Sequence, residues 1–291
     1  MSRNPVIQSS WMLLAAFLFS LMAACMKLAA DAYSIYEIIF YRSLLGVVIG
    51  YGVLRKTGVS LSTTRPWTYV WRCGVGTFCI LLGVWIVWRL PLGTAQTLAY
   101  TAALFFALFS IIESFIKRQP ISWFLIAAII TGFAGVLIIL RPTVDVELMI
   151  PMLIGLLVGF TGALADFTVR KMTEKGEPPP RIVFYFVCSG TLIGGIGALM
   201  TTGFHALDWM GAGLLFLVGL FGTLAQLAMT HAWKHGLPLL NTIYQYAGVI
   251  FAVILGVLAF DDDIDLLTFT GIAIVCASGV AAGFANLKKK H

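Results

Sequence analysis

Charge is what this chain of 291 residues has least of. Aspartate and glutamate number 13 and lysine and arginine 19, so charged residues make up 11% of the sequence, against about 25% in an average soluble domain. A water-exposed enzyme surface cannot be built from so few charges. No polar stretch is long enough for a soluble domain. The five cysteines (Cys25, Cys73, Cys79, Cys188, Cys276) are odd in number, form no C-x-x-C and fall inside apolar segments, which excludes a disulfide framework and a zinc site and leaves small buried hydrophobes. Catalytic signatures are missing too: the sequence has no G-x-G-x-x-G after a strand, no P-loop and no G-x-S-x-G, and His231 and His235 lack the glutamate of H-E-x-x-H. They read as an interfacial pair, and neither metal nor cofactor is expected.

What is present is apolar. Hydrophobic residues make up 60% of the chain and mean hydropathy is +0.95. That surplus exceeds what one core can bury, and lipid is the simplest partner for it. A bilayer core of about 30 Å needs about 20 mainly apolar residues per helix. Ten segments meet that measure, at 10–28, 35–54, 67–88, 92–115, 121–140, 149–170, 181–202, 209–232, 237–259 and 264–285. They run continuously apolar and lack the period-two alternation of a membrane barrel. An all-α integral membrane protein of ten transmembrane helices is predicted.

The net charge of +6 belongs to orientation rather than to nucleic-acid binding, because lysine and arginine come in small, widely separated groups. With the N-terminus cytoplasmic, 15 of the 19 positive residues, Arg72 counted among them, fall on the inner side. Lys27, Arg89 and Arg141 fall outside, and Arg42 lies within a span. Asp31, Asp145, Glu147, Asp208, Asp261, Asp262, Asp263 and Asp265 gather on the outer side. Ten spans return both termini to the cytoplasm. The first segment resembles a secretory signal, with a near miss to a lipoprotein box at Leu21-Met22-Ala23-Ala24-Cys25. Its removal would leave nine spans and break the charge asymmetry, so it is read as a span.

Shifting the chain by 146 residues lays Arg89-Leu90-Pro91-Leu92 on His235-Gly236-Leu237-Pro238, Tyr100 on Tyr246 and Phe105 on Phe251. Five spans then overlie five, and odd parity inverts the second set. Two inverted five-helix repeats are expected, at 1–142 and 143–291, with a solute site where they meet.

Several stretches resemble drug/metabolite transporters of the EamA type. Tyr33-Ser34-Ile35-Tyr36-Glu37-Ile38-Ile39-Phe40-Tyr41-Arg42-Ser43 is similar to the start of that family's second helix. Leu90 to Phe105, with Pro91-Leu92-Gly93-Thr94-Ala95-Gln96-Thr97 inside it, resembles the fourth. Gly132-Phe133-Ala134-Gly135-Val136 before Arg141-Pro142 resembles the end of the first repeat, and Val183-Phe184-Tyr185-Phe186 and Gly222-Thr223-Leu224-Ala225-Gln226-Leu227 resemble the second. The likeness runs over about residues 10 to 285. Where the family usually carries a Gly-Glu pair at the end of the fourth helix, this chain has Phe115 and Ile116, with Glu113 one turn earlier. Asp262 holds the matching place in the second repeat.

The resemblance implies an inner-membrane secondary transporter that moves a small polar or zwitterionic metabolite by alternating access, either an amino-acid-like compound or an opine-type metallophore. Export is the direction it favours. Uptake of S-adenosylmethionine or riboflavin is the alternative within the family, and a passive channel the alternative outside it. The expected partners are that metabolite and the bilayer, with no nucleic acid, and with the chain a monomer or weak dimer.

A few polar residues inside the spans carry the chemistry. Arg42 lies roughly 10–12 Å into its helix, where a guanidinium costs at least about 2.5–3.5 kcal/mol. It either anchors a carboxylate or phosphate through its fork or pairs with Glu37 and nearby carbonyls. Asp166 either pairs with Arg170, four residues on, or carries a proton or substrate. Glu37 is a second candidate for proton coupling, closer to the surface. Gln96 and Tyr100 share one helix face, and Asn241, Tyr244 and Gln245 lie together in the other repeat beside Tyr246. These amides and rings either line a cavity or bridge helices. Glu113 reads as the partner of Lys117.

Overall fold

The computed structural model describes residues 5–118, 123–140 and 146–287. The expected repeat boundary at 142 and 143, the Arg141-Pro142 turn, Gln119-Pro120, Asp145, Arg3 and the basic tail Lys288 to Lys290 lie outside them. The described residues form twelve helical segments and no strand: α1 (Pro5–Ala29), α2 (Ile35–Thr57), α3 (Pro66–Arg89), α4 (Leu92–Tyr100), α5 (Ala102–Ile116), α6 (Trp123–Leu140), α7 (Val146–Glu174), α8 (Pro179–Met200), α9 (Trp209–His235), α10 (Pro238–Gln245), α11 (Ala247–Phe260) and α12 (Leu266–Leu287). Seven helices among the described residues are long and apolar enough to cross a membrane, α4 and α5 counting together, and three shorter apolar helices accompany them.

Local signals start and stop these helices. Ser34 and Glu37 form a capping box at the start of α2, and Gly58 closes that helix in the left-handed conformation (φ 65°). Asp208 caps α9 by accepting from Gly211 N. Hydrogen bonds from Gly211 and Tyr33 hold the Asp208 carboxyl below the usual carboxylate range. Prolines open α3 and α8, where the missing N–H removes no helical bond.

The helices pack in antiparallel pairs: α1 with α9, α2 with α8, α3 with α7, α4 with α11, and α6 with α12. Along α2 and α8 the closest approaches run from Phe40 at Gly194, through Ser43 at Gly190, to Phe184 at Gly50. Along α6 and α12 they run from Ser278 at Gly132 to Gly271 at Ile139. Small residues let the backbones touch where lipid supplies no hydrophobic drive.

Connections meet at two ends. One end gathers Asp31 with Trp88, Tyr33 with Asp208, Glu37 with His205, and Lys27 with Asp262. The other gathers Gln8 with His231, Ser9 with Leu237, Glu113 with Lys171, and Glu177 with Tyr69 and Arg181. Burial pushes the Glu177 carboxyl upward, but the hydrogen bonds from Tyr69 and Arg181 outweigh it and hold it below the usual range.

Gly194 shows how tight the pairing is. A β-carbon there would stand 2.7 Å from Phe40 N and 2.9 Å from Tyr36 O, both backbone, whereas one at Gly213 in α9 would meet nothing within 4 Å. Gly194→Ala should therefore lower thermal stability in detergent by about 1–3 kcal/mol, the usual cost of overpacking. Gly213→Ala should leave it unchanged or slightly raised. Equal melting temperatures for the two variants would show that α2 and α8 are not in backbone contact.

Candidate functional site

Two helices are interrupted inside the bundle. The α4–α5 helix breaks at Thr101, whose Oγ1 donates to Leu98 O at 2.6 Å. The α10–α11 helix breaks at Tyr246. A shift of 146 residues, which lays Tyr100 on Tyr246, brings the two breaks within one residue of each other. Gly159 of α7 packs on the first break, where a β-carbon would come within 2.8 Å of Leu98 O.

Beside the breaks lies a cavity of about 210 Å³, walled by α1 to α5 and α7 to α10. It suits a small metabolite better than a drug-sized molecule, whose pockets run to about 300–1,000 Å³. Its wall is mostly apolar, with Met22, Met26, Ile80, Val84, Val87 and Met229 prominent. Set into it are Arg42, Arg72, Asp166, Gln96, Gln226, Gln245 and Tyr100.

Arg42 is 3% exposed. Its Nε donates to the Met22 sulfur at 3.4 Å, and the guanidinium lies 5.9 Å from the Phe186 ring centre. Gly222 makes room for it, since a β-carbon there would stand 2.9 Å from Nε. Glu37, the partner considered from sequence, is engaged elsewhere. It is fully buried at the bundle's end, where it accepts from Ser34 N at 2.9 Å and His205 N at 2.6 Å and contacts His205 Nδ1 at 2.7 Å. It does not line the cavity.

Arg72, counted from sequence among the inner-side loop charges, is 3% exposed and opens on the same cavity. Its guanidinium stacks 4.3 Å over Phe186 from α3. Nε and one terminal nitrogen are buried with no hydrogen-bond partner. Gly76, one turn on, clears the space it occupies. The signal was in the sequence: position 72 falls inside the 67–88 span. Its closeness to the start of that span put it in the count of inner-side charges instead.

Asp166 opens on the cavity from α7, beside Gln245 and within electrostatic reach of Arg72. It does not pair with Arg170, which binds Glu174 at 2.8 Å. The cavity therefore holds two guanidiniums and one carboxylate.

Gln96, Tyr100 and Gln245 join the wall, and so does Gln226, which the sequence offered inside the Gly222–Leu227 motif. The remaining candidates sit in helix packing. Asn241 is buried and donates to Ala232 O at 2.7 Å, tying α10 to the end of α9. Tyr244 packs on a cluster around Met12, Met229 and Trp233. Tyr246 is buried against Gly279 of α12. No group of three or more His, Cys, Asp or Glu suited to a metal occurs among the described residues.

Away from the cavity, two ion pairs span opposite ends of the bundle. Lys27 of α1 binds Asp262, next to the end of α11, at 2.8 Å, and Asp262 also accepts from Leu92 N at 2.6 Å. Lys171 of α7 binds Glu113 of α5 at 2.5 Å, and Lys117 shares that carboxylate at 2.6 Å.

The model of the EamA-like transporter family matches residues 7–141 and again 149–282. The chain belongs to the EamA-like transporter family. The pseudopaline exporter CntI of Pseudomonas aeruginosa is 28% identical over 92% of this chain and 93% of its own length. An uncharacterized transporter of Helicobacter pylori is 25% identical over 99% and 98%. Human solute carrier family 35 member G1 is 26% identical over 96% of this chain and 79% of its own. One crystal structure shares the fold at a TM-score of 0.73 over 99% of this chain and 100% of its own, with 16% identity. As a family member the chain is a multi-pass membrane transporter, and its family and these relatives are transporters rather than enzymes.

Proposed function

We propose that this EamA-like protein is an inner-membrane secondary transporter that exports a small zwitterionic metabolite bearing a carboxylate, an amino-acid-like compound or an opine. The observation that carries the reading is the cavity between the halves, where buried guanidiniums and a carboxylate face a space of metabolite size. Arg42 anchors the substrate carboxylate, Gln96, Tyr100 and Gln245 orient the rest, and Asp166 receives the ammonium group or a proton. Asn241, Tyr244 and Tyr246 act by holding the broken helix in place. Glu37 keeps a structural role at the outer end. The relative named as a pseudopaline exporter supports the direction. S-adenosylmethionine carries a sulfonium cation and riboflavin no anion, so neither matches two guanidiniums.

The mechanism is alternating access between two inverted five-helix repeats, at 1–142 and 143–291, each contributing five of ten spans, with both termini cytoplasmic. Exchanging the halves converts the α1–α9 pair into α7–α3 and returns α2–α8, α6–α12 and the broken-helix pair to themselves, which supports this plan. The same exchange relates the Lys27–Asp262 and Lys171–Glu113 pairs. Each joins the first helix of one half to the broken helix of the other, at opposite ends, as an outer and an inner gate. Gates at both ends also speak against an open channel.

Untargeted metabolite profiling of cells and medium should show one carboxylate-bearing amine rising in the medium on overexpression, and Arg42→Gln should abolish the rise. An unchanged medium would refute the export reading. In proteoliposomes loaded with that compound, an imposed pH gradient should change flux of the wild type and not of Asp166→Asn. A gradient response that survives in Asp166→Asn would remove Asp166 from proton coupling.

Cys79 lines the cavity and reports the gates. In a variant whose only cysteine is Cys79, Glu113→Gln should raise its labelling by an impermeant thiosulfonate from the cytoplasmic face. Lys27→Gln should raise it from the outer face. Labelling that rises on the same face for both variants would contradict the gate assignment.

A further inference from the structure

We propose that the cavity is a two-anion site: its substrate carries a second anionic group besides the carboxylate bound by Arg42, and Arg72 binds that group. The inference rests on the transport reading above and narrows its substrate class.

Arg72 is buried, faces the cavity and leaves Nε and one terminal nitrogen without a hydrogen-bond partner. Buried donors are nearly always satisfied, and a charged one left open is costly. Asp166 lies within electrostatic reach but forms no ion pair with it, and the face of Phe186 stabilises a cation without filling its hydrogen-bond sites. Hydrogen-bond capacity left unmet in this way favours a carboxylate or phosphate as the partner of Arg72 in the cavity.

Charge balance leads to the same class. Two guanidiniums and one carboxylate leave the cavity with one uncompensated positive charge, at low dielectric and among apolar walls. A zwitterion with a single carboxylate brings no net charge and leaves that excess in place. A zwitterion with two anionic groups brings one net negative charge and closes the balance, ammonium to Asp166 and one anion to each arginine. Arg42 and Arg72 address the same ring, at 5.9 Å and 4.3 Å from its centre. The two anions must therefore sit on one compact skeleton.

The test is equilibrium binding of three probes to the purified full-length protein: L-asparagine, its near-isostere L-aspartate, and O-phospho-L-serine. L-Aspartate or O-phospho-L-serine should bind about tenfold or more tighter than L-asparagine, a difference of about 1.4 kcal/mol. The tighter of the two identifies the second anion as carboxylate or phosphate. Arg72→Gln should remove the preference, bringing the three affinities together, while Arg42→Gln should weaken all three. If Arg72→Gln does not fold, Arg72→Lys keeps the charge but loses the fork, and should keep a reduced preference. Equal affinity for the three probes in the wild type, or a preference untouched by either Arg72 variant, overturns the proposal. If no probe binds while overexpression still exports a metabolite, the two-anion site falls and the transport reading stands. If export is absent as well, both fall.

Discussion

Two guanidiniums held against one phenylalanine ring inside an apolar bundle are the constraint around which this structure is arranged. Neither Arg42 nor Arg72 has a carboxylate in ion-pair contact, and each depends on a glycine to clear its path, Gly222 and Gly76. Removing charge from water costs several kcal/mol per ion even after relaxation. A chain with so few charges has no structural need to place two of them here. On the proposed transport reading, the cavity, Asp166 and the surrounding amides offset that expense when a solute of opposite charge arrives.

The helix breaks serve the same site. Gly159 of α7 packs on the turn at Thr101, and Asp166, further along the same helix, lines the cavity with Arg72. A matching break at Tyr246 brings Gln245 beside Asp166. At the ends, Glu113 binds Lys171 and Asp262 binds Lys27.

Much of the fold was legible in the sequence, because continuous apolar runs of about 20 residues leave no other element to build. Turn chemistry was legible locally as well, as in the Ser34–Glu37 capping box. The breaks were harder to read. Neither Thr101 nor Tyr246 is a proline or glycine, and the first break depends on a hydroxyl bond and on packing by a helix far away in sequence. Within the cavity, depth along a span found Arg42 and Asp166. Depth alone hid Arg72, because one and a half turns from a helix end suits either snorkelling or burial, and only the packing of Phe186 and Gly76 decides between them. Spacing likewise could not separate Gln245, which faces the cavity, from Asn241, which satisfies a helix end.

On this reading Arg42 and Arg72 await anions and do not serve each other's structural support. An anomalous difference map from crystals of the protein soaked in bromosuccinate, a dicarboxylate that carries a heavy scatterer, tests it most directly. The account predicts a bromine peak beside Phe186, with one carboxylate on Arg42 and the other on Arg72. A map in which Arg72 is closed onto Asp166 in an ion pair, with no bromine in the cavity, would contradict it.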